Sequence, residues 1–227
     1  MTDMRTYLQP NDGYNSDAES DLSQYDSCES DIEDEGRIIN VIRKDGIGDD
    51  EFKSLLNSVL KNPNLEKLVL NFNGTAVRDG SVDYLINKLE SLSNSALSSI
   101  CLSMRDVFIT DLAFNKLANH LTDYHGTLLC EIDLSSNNHI TSAAINNLLQ
   151  AVCVNPKVDS IYLENLGLNH DFFICFLDSL QKIEKPRENK LVIEFGQTLE
   201  STSYINRIKQ EATKHNIEID CICPPGR

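Results

Sequence analysis

The residues that could do chemistry are scattered rather than gathered. Seven cysteines, five histidines and 35 Asp and Glu side chains are spread over 227 residues. Cys221-Ile222-Cys223 is a C-x-C pair, but a structural metal site needs about four ligands and no second pair accompanies it. Cys101, Cys130, Cys153 and Cys175 fall inside regular segments, where cysteine packs as a small hydrophobe. His120, His125, His139, His170 and His215 sit at helix ends or in loops. At a helix C-terminus, as for His120 and His215, the helix dipole accounts for a histidine without catalysis. The acidic start Asp49-Asp50-Glu51 has the complementary explanation. There is no glycine-rich phosphate loop, no G-x-S-x-G and no H-E-x-x-H. The expectation is a non-enzymatic protein, with no catalytic residue, cofactor or metal.

Charge excludes whole classes of partner. Asp and Glu number 35 against 20 Lys and Arg, a formal net charge of −15. Nucleic-acid backbones and anionic membranes are held by positive faces, so neither is expected here. The charge is also uneven. Residues 1–36 hold eleven carboxylates and one base, Arg5, a net −10, which leaves −5 for the rest. Dense like charge with few aliphatics cannot offset the entropy of ordering. Residues 1–36 are therefore expected to be an acidic disordered tail, and 37–227 the folded domain. Ser16 and Ser30 each have an acid three residues on, Glu19 and Glu33, a context suited to acidophilic kinases. The tail has neither the basic start and apolar stretch of a secretory signal nor the basic composition of a mitochondrial presequence. No run approaches the roughly 18 apolar residues of a membrane span. An odd number of cysteines without an export signal points to a reducing, cytoplasmic setting.

The body of the chain repeats. Leu65-x-x-Leu68-x-Leu70-x-x-Asn73 recurs as Leu97-x-x-Ile100-x-Leu102-x-x-Arg105 and as Leu129-x-x-Ile132-x-Leu134-x-x-Asn137. A fourth copy is Val158-x-x-Ile161-x-Leu163-x-x-Leu166. Spacings between the second apolar positions are 32, 32 and 29 residues. The same steps reach Ile39 and Val41 before the first copy, and Ile193 and Phe195 after the last. Each stretch reads as a strand. A second pattern follows the strands: Phe52, Leu55, Leu56 and Val59, then Val82, Leu85, Ile86 and Leu89, and so on through three more units. These are i, i+3, i+4 and i+7, one face of an α-helix. Pro63, Gly126 and Pro156 stand at the matching helix stops. A terminal helix is expected near 201–215 on Ile205, Ile208 and Ala212, followed by an alternating strand at 217–222. One strand and one helix cannot bury an apolar face alone, so neighbouring units must stack, with strands on one face and helices on the other.

These residues resemble the leucine-rich repeat family, whose strand signature L-x-x-L-x-L-x-x-N is intact at 65–73 and nearly so at 129–137. Units of 29 to 32 residues with a full helix resemble its ribonuclease-inhibitor-like subclass. The resemblance covers roughly 36–220 and implies an α/β right-handed solenoid of about five to six repeats. Strands would line its concave face and helices its convex face. The chain departs from the signature at Arg105 and Leu166, where the family's ladder of Asn side chains would be interrupted. The repeat lengths and terminal helix also resemble the actin-capping repeat domain of tropomodulins. The acidic tail resembles GTPase activators of the RanGAP type, which use about twice as many repeats. A bias towards Asn, Ser and Ile resembles small solenoid effectors of intracellular bacteria, which act in a host cytosol.

Solenoids bind on the open sheet, so function is expected at the strand residues that alternate with the core. Aligned by the signature, one row is Ile38, Lys67, Ser99, Glu131, Ser160 and Val192. The next is Asn40, Val69, Cys101, Asp133, Tyr162 and Glu194, and the third is Ile42, Asn71, Ser103, Ser135, Glu164 and Gly196. Carboxylates gather in the C-terminal half around Tyr162, a residue type favoured as a binding anchor. The candidate partner-binding residues are Lys67, Asn71, Glu131, Asp133, Tyr162, Glu164 and Glu194. The expected partner is a protein with a basic or mixed surface.

Overall fold

Strand and helix alternate along this chain because its apolar period switches between 2 and 3.6. The computed structural model describes residues 38–42, 47–92, 96–123, 128–197 and 201–222. The expected acidic tail, with Ser16, Ser30 and Cys28, lies outside the described residues, as do Gly126 and Cys223. Among the described residues there are seven strands: β1 (Ile38–Ile42), β2 (Lys67–Asn71), β3 (Ser99–Ser103), β4 (Leu129–Asp133), β5 (Ser160–Tyr162), β6 (Leu191–Gln197) and β7 (Ile217–Ile222). They form one open sheet in chain order, every neighbouring pair parallel. The crossovers carry α1 (Asp49–Val59), α2 (Asp79–Ser91), α3 (Asp111–Asp123), α4 (Ser142–Val154), α5 (His170–Gln181) and α6 (Thr202–Thr213). Neighbouring helices pack in the same order as the strands. The chain is thus an α/β, solenoid-like stack. Packed helices stand about 8–10 Å apart and paired strands about 4.8 Å, so the sheet takes the inner side of any curvature.

The core fills the space between the layers as the periodicity predicts. Leu68, Leu70, Ile100, Leu102, Ile132, Leu134, Ile161 and Leu163 are buried. On the helices, Phe52, Val82, Phe114, Ile145 and Phe173 are all fully enclosed. Leu55 and Val59 of α1 are only half-buried, because the helix stands at one end of the stack. Near the other end Phe195 of β6 is met edge-on by Phe172, Phe173 and Phe176 of α5, at centroid distances of 5.8, 5.6 and 5.6 Å. Edge-to-face contact is the favourable geometry for such rings.

The register differs from the signature alignment at one place. The signature pairs Ile100 with Ile132, but in the sheet Leu102 lies opposite Ile132, and Ser103 opposite Asp133. The two preceding units carry a third alternating core residue, Phe72 and Met104, both buried. A shift of two residues keeps every apolar side chain on the core face, so burial does not oppose it. Strand β4 also carries a one-residue bulge, where Ile100 pairs with Leu129 and Cys101 with Glu131, leaving Cys130 as the extra residue. Gly74, Asp106, Ser136 and Asn165 then become equivalent, all left-handed with φ of 68, 50, 63 and 54°. Their N–H groups carry the ladder across the turns: Gly74 donates to Arg105 O, Asp106 to Ser135 O and Ser136 to Glu164 O.

Polar links tie successive units on the helix side. Asp79, the first residue of α2, accepts from Thr110 N and Oγ1 at 2.7 and 2.6 Å. Asp111 at the start of α3 repeats this with Thr141, at 2.8 and 2.7 Å. Asp49 accepts from Arg78 N and the Ser81 hydroxyl, at 2.9 and 2.6 Å. These carboxylates sit at positive helix ends and also bind the next unit, a second role beyond the dipole.

Arg187 closes the other end of α4. Its guanidinium is buried and donates to the carbonyls of Val152 at 2.6 Å, Val158 at 2.5 Å and Asn155. Burial lowers its pKa, with the neighbouring Cys153 and Asp159 opposing. Removing the guanidinium strands several buried carbonyls, each costing about 1–3 kcal/mol. Arg187→Leu is expected to lower unfolding stability by about 3 kcal/mol or more, measured by urea denaturation. Arg187→Lys should recover only part of it, since an ammonium lacks the planar fork.

His120, in the last turn of α3, is also enclosed. It is buried on α3 with Nδ1 3.4 Å from Glu90 Oε1. Burial lowers its pKa below the ordinary 6.5, and Glu90 opposes this. The unfolded chain therefore takes up a proton more readily than the folded one. Stability is fully present above 6.5 and falls as pH drops through the lowered value. His120→Gln is expected to flatten the acid-side decline of the midpoint between about pH 6.5 and pH 5, followed by thermal melts across that range.

Candidate functional site

The strand residues that alternate with the core form rows across the open side of the sheet. The observed register puts Asn71, Ser103, Asp133, Tyr162, Glu194 and Asp220 in one row. Val69, Cys101, Glu131, Ser160, Val192 and Glu218 form the row beside it. Two expected neighbourhoods are thereby corrected. Glu131 stands beside Cys101 rather than Ser99, and Asp133 beside Ser103 rather than Cys101. The cause is the two-residue shift between β3 and β4.

Past the strand ends the shift aligns Asn73, Arg105 and Ser135 with Glu164. Asn73 Oδ1 accepts from Arg105 N at 2.7 Å, and the Ser135 hydroxyl accepts from Glu164 N at 3.1 Å. Asn137 falls in the next position, buried, where its side-chain amide donates to Met104 O and Leu134 O and accepts from Val107 N. The two intact Asn residues of the signature therefore serve different rungs. Arg105 does not interrupt the ladder, because its backbone takes part and its side chain is left to reach over the sheet.

That side chain organises the face. Arg105 Nη2 meets Glu164 Oε2 at 3.0 Å, passing the small Ser135 between them, and Nη1 lies 3.7 Å from Asp133 Oδ2. Asp133 is held from two other sides. Its Oδ1 accepts from Ser135 N at 3.1 Å, and its Oδ2 is 3.1 Å from the Ser103 hydroxyl. The same hydroxyl lies 2.8 Å from Asn73 Oδ1, so one proton serves two acceptors. Beyond Arg105's reach the carboxylates crowd one another. Burial, then a hydrogen bond with Glu164 and the charges of Glu164, Asp220 and Asp133, raise the pKa of Glu194.

An open groove of about 350 Å³ runs along this face, lined among others by Asn71, Arg105, Glu131, Asp133 and Tyr162. Four of the expected residues, Asn71, Glu131, Asp133 and Tyr162, therefore meet in one groove. Glu164 joins through Arg105, and Glu194 through its pairing with Tyr162. Lys67 does not join: it lies at the start of β2 opposite Ile38 and Ser99, outside the groove lining. Arg105 and Asp220 are additions. Arg105 follows a third alternating apolar residue, Met104, which is the sequence signal for its place; Asp220 follows from the alternation of β7. Gly196, with φ of 65°, lets the Glu164 stem approach, since a Cβ there would lie 3.1 Å from its Cγ.

Among the described residues no group of three or more His, Cys, Asp or Glu side chains is placed to hold a metal ion, and no helix is long and apolar enough to cross a membrane. No protein-family model matches the chain, and no curated protein matches it.

The raised pKa of Glu194 has a signed consequence. The folded chain holds this proton to higher pH than the unfolded chain, so its contribution to stability is lost as pH rises through the raised value. Glu194→Gln is expected to raise Tm at pH 7 and to leave it unchanged below about pH 4, where the carboxyl is neutral in both states. Calorimetry at the two pH values checks this.

Proposed function

We propose that this chain is a non-enzymatic interaction protein that binds a protein partner with a basic or mixed surface on its open sheet. The observation that carries the reading is the row Asp133, Glu194 and Asp220 with Glu164 beside it, compensated internally by Arg105. A partner's lysine or arginine would offset the neighbouring carboxylate charges that, after burial, raise the pKa of Glu194. Tyr162 lies in the middle of the same row, half-buried, and supplies area at small entropic cost. Asn71 and Glu131 line the same groove. The finer architecture we infer is a leucine-rich repeat solenoid of the ribonuclease-inhibitor-like kind. Its support is the strand signature, the unit length and the turn-to-turn polar ladder. A cytoplasmic setting is proposed on the odd cysteine count.

The test is charge reversal of Glu131, Asp133 and Glu164 together, with affinity capture of the partner as readout. Capture by the wild-type chain should weaken as salt rises and drop at least tenfold in the triple variant while circular dichroism stays unchanged. Partner capture undiminished by a folded triple variant overturns the proposal.

A further inference from the structure

Cys101 and Cys130 bring their sulfurs within 3.8 Å across β3 and β4. The bulge makes this possible. Cys101 registers with Glu131, so Cys130 stands one residue earlier on the neighbouring strand. Strand spacing and rise then place the two Cα atoms about 6 Å apart, inside the span of roughly 4.4–6.8 Å that a disulfide bridges. Both residues are half-buried, and Cys101 lines the groove. Cys153 and Cys221 are buried, and Cys175 is exposed.

We propose that Cys101 and Cys130 form a thiol–disulfide exchange site that is oxidised by a low-molecular-weight disulfide and closes to a bond between β3 and β4. Cys130, as thiolate, attacks one sulfur of the oxidant; a mixed disulfide forms and one small thiolate leaves. Cys101 then attacks the Cys130 sulfur, the mixed disulfide breaks, and the second small thiolate leaves with the proton Cys101 gives up. Two protein thiols are oxidised and one small disulfide is reduced to two thiols. Burial and the neighbouring Cys130 thiol push the Cys101 thiol up to about 12. Once Cys130 is in the mixed disulfide its contribution to that rise is gone, and Cys101 is freer to ionise. A reducing thiol reverses the sequence.

The full chain is incubated with oxidised glutathione, the remaining thiols are alkylated, and the digest is mapped by mass spectrometry. The expected product joins the peptides of Cys101 and Cys130, lighter by two hydrogen atoms and restored by dithiothreitol. Cys101→Ser should instead hold a lasting glutathione adduct on Cys130. The proposal is overturned if both wild-type cysteines are recovered alkylated while exposed Cys175 carries glutathione. It is equally overturned if either one is joined to a different cysteine, or carries only a separate adduct. None of these readouts depends on partner binding.

Discussion

No strand–helix unit of this chain can enclose an apolar core by itself. Each exposes one helix stripe and one strand edge, and only the next unit covers them. Everything else follows from that dependence. Leu68, Ile100, Ile132 and Ile161 are buried because a neighbour stands on each side, and α1, at the end of the row, leaves Leu55 and Val59 partly uncovered. The turns that follow the strands are tied from unit to unit as well. Left-handed residues and the side chains of Asn73, Ser135 and Asn137 supply the missing hydrogen bonds from one unit to the next.

The same dependence shapes the charge on the sheet. Parallel strands about 4.8 Å apart force side chains of one row into close company. A row of carboxylates is costly there unless a cation or a proton intervenes. The first device is present, since Arg105 bridges Asp133 and Glu164, while burial and then the neighbouring carboxylates raise the pKa of Glu194. The face is therefore a graded surface, compensated at one end and strained at the other.

Much of this was legible in the sequence. Strand and helix periods located the elements from β1 to β7, because a half-buried element cannot hide its period. The apolar residues of α6 and the alternation of β7 were readable for the same reason. The register of β4 was not. The repeat signature matches Ile100 to Ile132 as well as to Leu68, and a shift of two leaves the hydrophobic pattern intact, so the pattern cannot detect it. Arg105 was thereby read as a broken rung. Arg187 had no signal, since its partners are backbone carbonyls at 152, 155 and 158, brought near only by the stack. The position of His120 on its helix was visible, and its burial was not.

The two-residue shift between β3 and β4 separates two properties of a repeat that usually travel together. A slip of two residues changes which surface residues are neighbours while the core keeps its composition and face. It set Glu131 against Cys101 and aligned Arg105 with Glu164 at no cost in buried apolar area. A stack of this kind can thus explore new surfaces in discrete dipeptide steps. Within a paired strand a slip of one residue would instead turn every side chain to the other face. The diversity of such a face need not come from point substitution at all.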